Sequence, residues 1–244
     1  NGKGGDWEKF SKKCFGEAIV AAKKSEVGRL GVCGCKETCG EGLDRDDLDL
    51  YGVQNDLVKA IYETGKPVFV MLLNGRPLSV NYIAKNIPAV LEGWYLGMRT
   101  GEAVANIIFG NVNPGGKLTV SIPRSVGQLP VSYLQKPDFV GAGHGQYKFA
   151  DKSPFFPFGY GLSYTQFKYS HLKLMKNKIK AGDKTTVSVE VTNTGSRAGD
   201  EVVQMYLHEE YASVGRYLKM LKGFDRISLN PGETKIVSFE LNAD

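Results

Sequence analysis

Glu41 stands in a setting that could do chemistry: it lies between two glycines in Gly40-Glu41-Gly42, with Asp44 and Arg45 close behind. Flanking glycines let the backbone bend so that a carboxyl can project into a neighbouring site, and a positioned carboxyl can act as a general acid or base. The plain alternative is a solvated side chain in a glycine-rich loop. Cysteine offers a second kind of chemistry. Cys33, Cys35 and Cys39 make a C-x-C-x3-C cluster, which Cys14 could complete into a tetrahedral metal site. The C-x2-C pairs of a zinc ribbon are missing. Small residues packed in a strand and its following loop are therefore expected, with a Cys39 disulfide open if the protein is exported. His144, His171 and His208 are widely spaced and none pairs with a carboxylate at ligand spacing, so no metal is expected. His144, in a glycine-rich loop, reads as solvated.

These residues need elements to hold them. Phe10 to Lys24 carries apolar residues at helical intervals, and Val27 to Cys35 reads as a strand entering a loop. Val53 to Thr64 is an amphipathic helix with Val53, Leu57, Ala60 and Ile61 on one stripe, closed by Gly65 and Pro67. Val68 to Leu73 is a continuous apolar run, which suits a strand buried on both faces of a parallel sheet. A turn at Asn74-Gly75-Arg76-Pro77 leads to a weaker helix near Val80 to Lys85 and a strand from Ala89 to Trp94. Thr100 to Phe109 is a helix with Ala103, Ile107 and Ile108 expected to face inward, and Leu118 to Ile122 a further extended run. Helices between buried strands imply right-handed crossovers and a layered α/β fold with a mostly parallel sheet. Glu41 then falls in the loop beyond a strand's carboxyl end, where open α/β sheets place functional groups.

Residues 124–165 are rich in loops, Gly, Pro and aromatics. From Phe167 the apolar pattern changes to period 2, as in Thr186 to Thr192, and recurs at Glu201 to Leu207, Leu218 to Leu229 and Lys235 to Leu241. Short strands joined by Asn-Thr-Gly-Ser and Asn-Pro-Gly-Glu turns predict an all-β immunoglobulin/fibronectin type III-like sandwich. The chain thus divides into 1–165 and 166–244.

Bulk properties exclude several classes. The formal charge is +5 over 244 residues, but the basic residues are scattered, so no nucleic-acid partner is expected. No apolar run reaches membrane-spanning length, so no membrane partner is expected either. No G-x-G-x-x-G or Walker sequence points to a nucleotide.

Several stretches together resemble one family, glycoside hydrolase family 3. Gly40 to Leu50 (GEGLDRDDLDL) with the following GVQNDLVKAI resembles its acid/base segment. LLNGRPL (Leu72 to Leu78), GNVNPGGKL (Gly110 to Leu118) and IPRSVGQLPV (Ile122 to Val131) resemble the same domain. FPFGYGLSYTQF (Phe156 to Phe167) is similar to the junction before the family's fibronectin-like domain, and VTNTGSRAGDEVVQMYL and LKGFDRISLNPGET to that domain itself.

The resemblance implies a retaining β-glucosidase, with β-xylosidase as the alternative, acting on β-linked oligosaccharides or aryl and alkyl glycosides without a cofactor. It makes Glu41 the acid/base, and Glu37, without the glycine flanks, the runner-up. Asp44 and Arg45 read as structural, an ion pair or loop clamp that holds Glu41 in place; a direct sugar contact by Arg45 is the other reading. The family's nucleophile is an aspartate on an N-terminal (β/α)8 barrel of about 250 residues, which does not fit in this chain. Asp6, in a context similar to that nucleophile's, is expected to be an N-cap. Residues 1–165 are then an N-terminally truncated family 3 C-terminal domain, and 166–244 a C-terminally truncated fibronectin-like domain, since about seven strands are usual. A non-catalytic carbohydrate-binding or scaffold module remains a different reading. Tyr133, Tyr147 and Phe149 could line a leaving-group subsite or simply pack. The compartment stays open, with export to the periplasm or beyond ahead of the cytoplasm. In the family the strand before Glu41 is nearly pure apolar, whereas here it carries Gly28, Arg29 and Gly31, which are awkward in a central strand.

Overall fold

A computed structural model of the chain describes residues 15–34, 38–137 and 151–242. They form two compact units, interleaved in sequence: one takes the described residues up to Thr100 with 121–131 and 151–156, the other 101–120, 132–137 and 157–242.

The first unit is built on three parallel strands in the order β1 (Gly28–Cys33), β2 (Val68–Leu73) and β3 (Ala89–Glu92). β2 lies between the other two, and Val68, Val70, Met71 and Leu72 are buried, as its unbroken apolar run predicts. β1 is an outer strand among those described, so Arg29 and Gly31 are exposed and the feared conflict with a central strand does not arise. Three helices cover the sheet: α1 (Phe15–Lys24), α2 (Gln54–Tyr62) and α3 (Asn81–Asn86). Their inward residues Ala22, Val58, Ile61 and Ile83 join Val32, Val70, Leu72, Leu78 and Val80 in one core. α2 ends where Gly65, at φ +75°, takes the left-handed conformation that a glycine tolerates best.

The buried stripe of α2 is Gln54, Val58 and Ile61. It is turned by one position from the expected Val53, Leu57, Ala60 and Ile61, because Gln54 is drawn inward by backbone partners described below. The strand expected up to Trp94 stops at Glu92, since Trp94 takes φ +50° and leaves the extended conformation. Leu118 to Ile122 forms no strand of this sheet. Within the first unit Ile122 instead bridges Phe156 in antiparallel fashion, and Pro123, lacking an N–H, stops the pairing there.

In the second unit, strands β4 (Phe167–Leu174), β5 (Lys184–Asn193) and β8 (Thr234–Asn242) form one antiparallel sheet, and β6 (Gly199–Leu207) and β7 (Met220–Leu229) another. Val191, Val203, Leu229 and Val237 meet between them, as the period-2 pattern requires. Helix α4 (Thr100–Ile108) has no buried residue, and Ala103 faces solvent rather than inward. Its closest ties run from its C-terminal end, where the Tyr164 hydroxyl donates to Ile107 O at 3.0 Å and Arg197 donates to Gly110 O. His171 lies in a β-bulge of β4 at φ +51°, paired with Glu190 at 2.7 Å.

Candidate active site

Parallel register brings three strand ends abreast. Cys33 is opposite Leu73, and Leu72 opposite Glu92. The next residues continue the ladder, with Gly34 N–H donating to Leu73 O at 3.0 Å and Gly93 N–H to Leu72 O at 2.9 Å. The loops that leave this carboxyl edge carry the candidate chemistry.

Glu41 occupies the second position of a tight turn closed by Leu43 N–H to Gly40 O at 3.2 Å. Gly42 follows at φ +72°, a conformation that such turns require at their third position and that glycine supplies without strain. The Glu41 side chain is exposed in this chain. The segment after it is held by Arg45, whose guanidinium binds the Asp47 carboxylate and donates to Asp49 O at 2.9 Å. Asp47 in turn accepts the Asp49 N–H at 3.0 Å. Arg45 is thus a loop clamp, but its ionic partner is Asp47 and not Asp44. Two residues of spacing let the chain curl back so that Asp47 reaches the guanidinium. Glu37 lies outside the described residues, as do Asp6, Cys14, Cys35, His144, Tyr147 and Phe149.

Two residues without an assigned role in the sequence tie this loop to the sheet. Gln54, 2% exposed, accepts the Cys33 N–H at 2.9 Å and donates to Cys33 O at 2.9 Å and Tyr51 O at 3.0 Å. The glutamine of Gly-Val-Gln therefore fastens the start of α2 to the end of β1, so both roots of the Glu41 loop are pinned together. Arg76, from Asn-Gly-Arg-Pro, donates to Leu43 O at 2.9 Å and so grips the Glu41 turn itself. Gly75 makes this approach possible. A Cβ there would lie 2.5 Å from Cys39 Sγ and 2.6 Å from Tyr95 Cε2. The Tyr95 hydroxyl, with help from Arg76, holds the Cys39 thiol below its ordinary range.

Glu92 is the carboxyl that strand-end reasoning alone could have found. Its Oε1 accepts the Trp94 N–H at 3.0 Å, and its Oε2 lies 3.5 Å from Nδ2 of Asn74, which is 1% exposed. Burial outweighs those bonds and pushes the carboxyl up from 4.5 to about 7. Between those two values the folded chain keeps a proton that the unfolded chain has lost. Stability therefore falls as pH rises from 4.5 through about 7, and stays lower above it. Glu92→Gln is expected to match the parent near pH 4 and to exceed it by on the order of 2 kcal/mol near pH 8. Urea melts at the two pH values check this; an equal shift at both would assign the change to packing alone.

Tyr133, in the second unit, stacks on Phe158 at 4.3 Å and meets Tyr206 edge-on at 6.5 Å, which is a packing role.

Residues 9–164 match the profile of the glycosyl hydrolase family 3 C-terminal domain, and residues 201–244 that of a fibronectin type III-like domain. A protein from Formosa agariphila named beta-xylosidase is 67% identical over 242 residues, covering 99% of this chain and 34% of that protein. A periplasmic beta-glucosidase of Salmonella typhimurium is 41% identical over 235 residues, covering 93% of this chain and 31% of that protein. The crystal structure of a beta-glucosidase from Listeria innocua in complex with glucose superposes with a TM-score of 0.91 at 34% identity, over 96% of this chain and 34% of that one. The chain spans about a third of the length of these relatives and matches them across both of its units.

Proposed function

This chain belongs to glycosyl hydrolase family 3, and from that premise we propose that it supplies the acid/base carboxyl, Glu41, of a retaining β-glycosidase whose nucleophile stands on an upstream (β/α)8 barrel. The observation that carries the proposal is Glu41's turn on the carboxyl side of the parallel sheet, gripped by Arg76 at Leu43 and followed by the Arg45 clamp. That arrangement presents the exposed Glu41 carboxyl on a braced turn, as a group that must meet a substrate held elsewhere requires.

The chemistry then runs in two steps. A barrel aspartate attacks the anomeric carbon while Glu41 gives its proton to the departing glycosidic oxygen. Glu41, now a carboxylate, takes a proton from the water that displaces the aspartate, so configuration is retained. This needs the two carboxyls about 5–5.5 Å apart. General acids in such pairs rely on burial or an opposing carboxylate to stay protonated. No step calls for a cofactor. Arg45 acts on the loop, its guanidinium being engaged by Asp47 and Asp49. Of the two sugars, β-xyloside stands ahead of β-glucoside, because the more similar of the two relatives carries the β-xylosidase name.

Hydrolysis of nitrophenyl β-xyloside and β-glucoside tests this reading. The chain alone is expected to show no turnover above background, and joining it to the part of the Formosa agariphila relative that it does not cover is expected to produce hydrolysis. Turnover by the chain alone that disappears in Glu41→Ala would place a second working carboxylate within these residues and overturn the proposal.

A further inference from the structure

In the second unit, the 157–161 loop and strands β4 and β6 line an open depression of about 300 Å³. This is at the small end of the range for ligand pockets. Its floor is charged. Glu201, 7% exposed, receives the Lys117 ammonium at 3.2 Å and the Tyr169 hydroxyl at 3.2 Å. Beside it the Tyr206 hydroxyl donates to Gln204 Oε1 at 2.6 Å, and Gln204 Nε2 donates to Gly159 O at 3.1 Å. The rings of Tyr160 and Tyr169, 38% and 46% exposed, stand in the wall.

The walls are fixed before any ligand arrives. Gly159 N–H donates to Leu118 O at 2.7 Å, and Leu118 N–H donates to Tyr160 O at 2.8 Å. Gly159 takes φ +81°, the left-handed backbone that glycine tolerates best, and a Cβ there would lie 2.3 Å from Gln204 Oε1 and displace that amide. Fixed side chains lower the ordering cost of binding.

We propose that this depression binds a pyranose unit of a neutral carbohydrate. The charge pattern selects the class. On the floor, Glu201 opposes an anion and Lys117 opposes a cation, and the two cancel, while the remaining charge, Lys219, sits over the Tyr206 ring at 5.3 Å. Neighbouring hydroxyls of a sugar suit such a pair: one donates to the carboxylate, and the next accepts from the ammonium. The Tyr169 and Tyr206 hydroxyls, which donate inward, keep lone pairs for further sugar hydroxyls. The apolar C–H face of the ring packs on Tyr160. A buried ion pair is weak evidence for stability, whereas here it gives the depression its recognition chemistry. The inference does not depend on the role of Glu41.

Titrating the intact chain with xylobiose, cellobiose and inorganic phosphate, read by amide chemical shifts, tests it. Either disaccharide is expected to give saturable shifts at Gly159, Gln204 and Tyr206. Tyr160→Ala is expected to weaken binding about tenfold or more. Tyr206→Phe, which keeps the ring and removes one hydroxyl, is expected to weaken it about fivefold and carries the test if the first variant fails to fold. Glu41→Ala is expected to bind as the parent does. No saturation by either sugar up to about 50 mM, where a millimolar site would be filled, overturns the proposal. So does saturation by phosphate alone, or shifts centred on residues 40–45 that vanish in Glu41→Ala.

Discussion

Glu41→Gln, placed in a protein that joins this chain to a family barrel, is expected to lower kcat/KM on β-glycosides with poor leaving groups by about 10²–10⁴-fold. The reason is the proton. A sugar alkoxide leaves only if its oxygen is protonated as the bond breaks, and glutamine has no proton to give. A nitrophenolate needs far less help, so bond cleavage on the nitrophenyl glycoside should fall much less. Its second step then becomes limiting, because no carboxylate remains to deprotonate water. Azide needs no deprotonation, so adding it is expected to restore turnover of the nitrophenyl substrate and give a β-glycosyl azide with retained configuration. Parent and variant kinetics on both substrate types, with and without azide, check this. Equal turnover in the two proteins, or the same pattern in Glu37→Gln, would move the acid/base role away from Glu41.

Asn193→Ala is expected to destabilise the second unit by about 3–5 kcal/mol. Asn193 is 0% exposed, yet its amide is fully used. Nδ2 donates to Arg197 O at 2.7 Å and Leu229 O at 3.0 Å, while Oδ1 accepts the Thr165 hydroxyl at 2.6 Å and the Gly195 N–H at 3.1 Å. One side chain therefore binds the turn after β5, the end of β7 and the segment that enters β4. Alanine would leave the Thr165 hydroxyl and the Leu229 carbonyl, both on buried residues, without this partner, and each buried orphan costs about 1–3 kcal/mol; the Gly195 N–H and the Arg197 carbonyl, nearer the surface, lose theirs too. Asn193→Asp should be no better, because its carboxylate would face two carbonyl oxygens. Urea unfolding gives the measurement, and a loss below about 1 kcal/mol would mean that the turn re-forms its bonds without the amide.

The elements were largely legible in the sequence, because hydrophobic period reports which face is buried. The β2 run from Val68 to Leu73 and sandwich strands β5 to β8 follow from that signal, whereas β4, exposed along most of its length, carries little of it. What it misses is burial for polar reasons. Gln54 and Asn193 are both polar, and nothing in their own type marks them as buried; each goes inside because backbone groups there need its amide. The same blindness hid the grip of Arg76 on Leu43, since a contact across 33 positions has no local signature. For the candidate site, the Glu41 turn could be read from its glycines, and the Arg45 clamp from its charge. Its partner could not, because Asp44 and Asp47 are chemically alike and only the curl of the loop separates them. Glu92 was overlooked in a run read as plain strand, although a carboxyl at the carboxyl end of a buried parallel strand is a recognisable signal.

The first unit is not finished when its sheet is. Its Ile122–Phe156 bridge, and the bonds from Gln128 to the Asp151 and Ser153 carbonyls, come from residues made well after β3. On the ribosome, therefore, the body that carries Glu41 has its core residues, Ala22 to Ile87, early, but makes its last contacts only once Phe156 has emerged. A cut between β3 and Phe156 would make that delay permanent. The order of synthesis thus makes residues 121–131 and 151–156 a late-arriving clasp, on which the yield of folded protein should depend more than their small share of the core suggests.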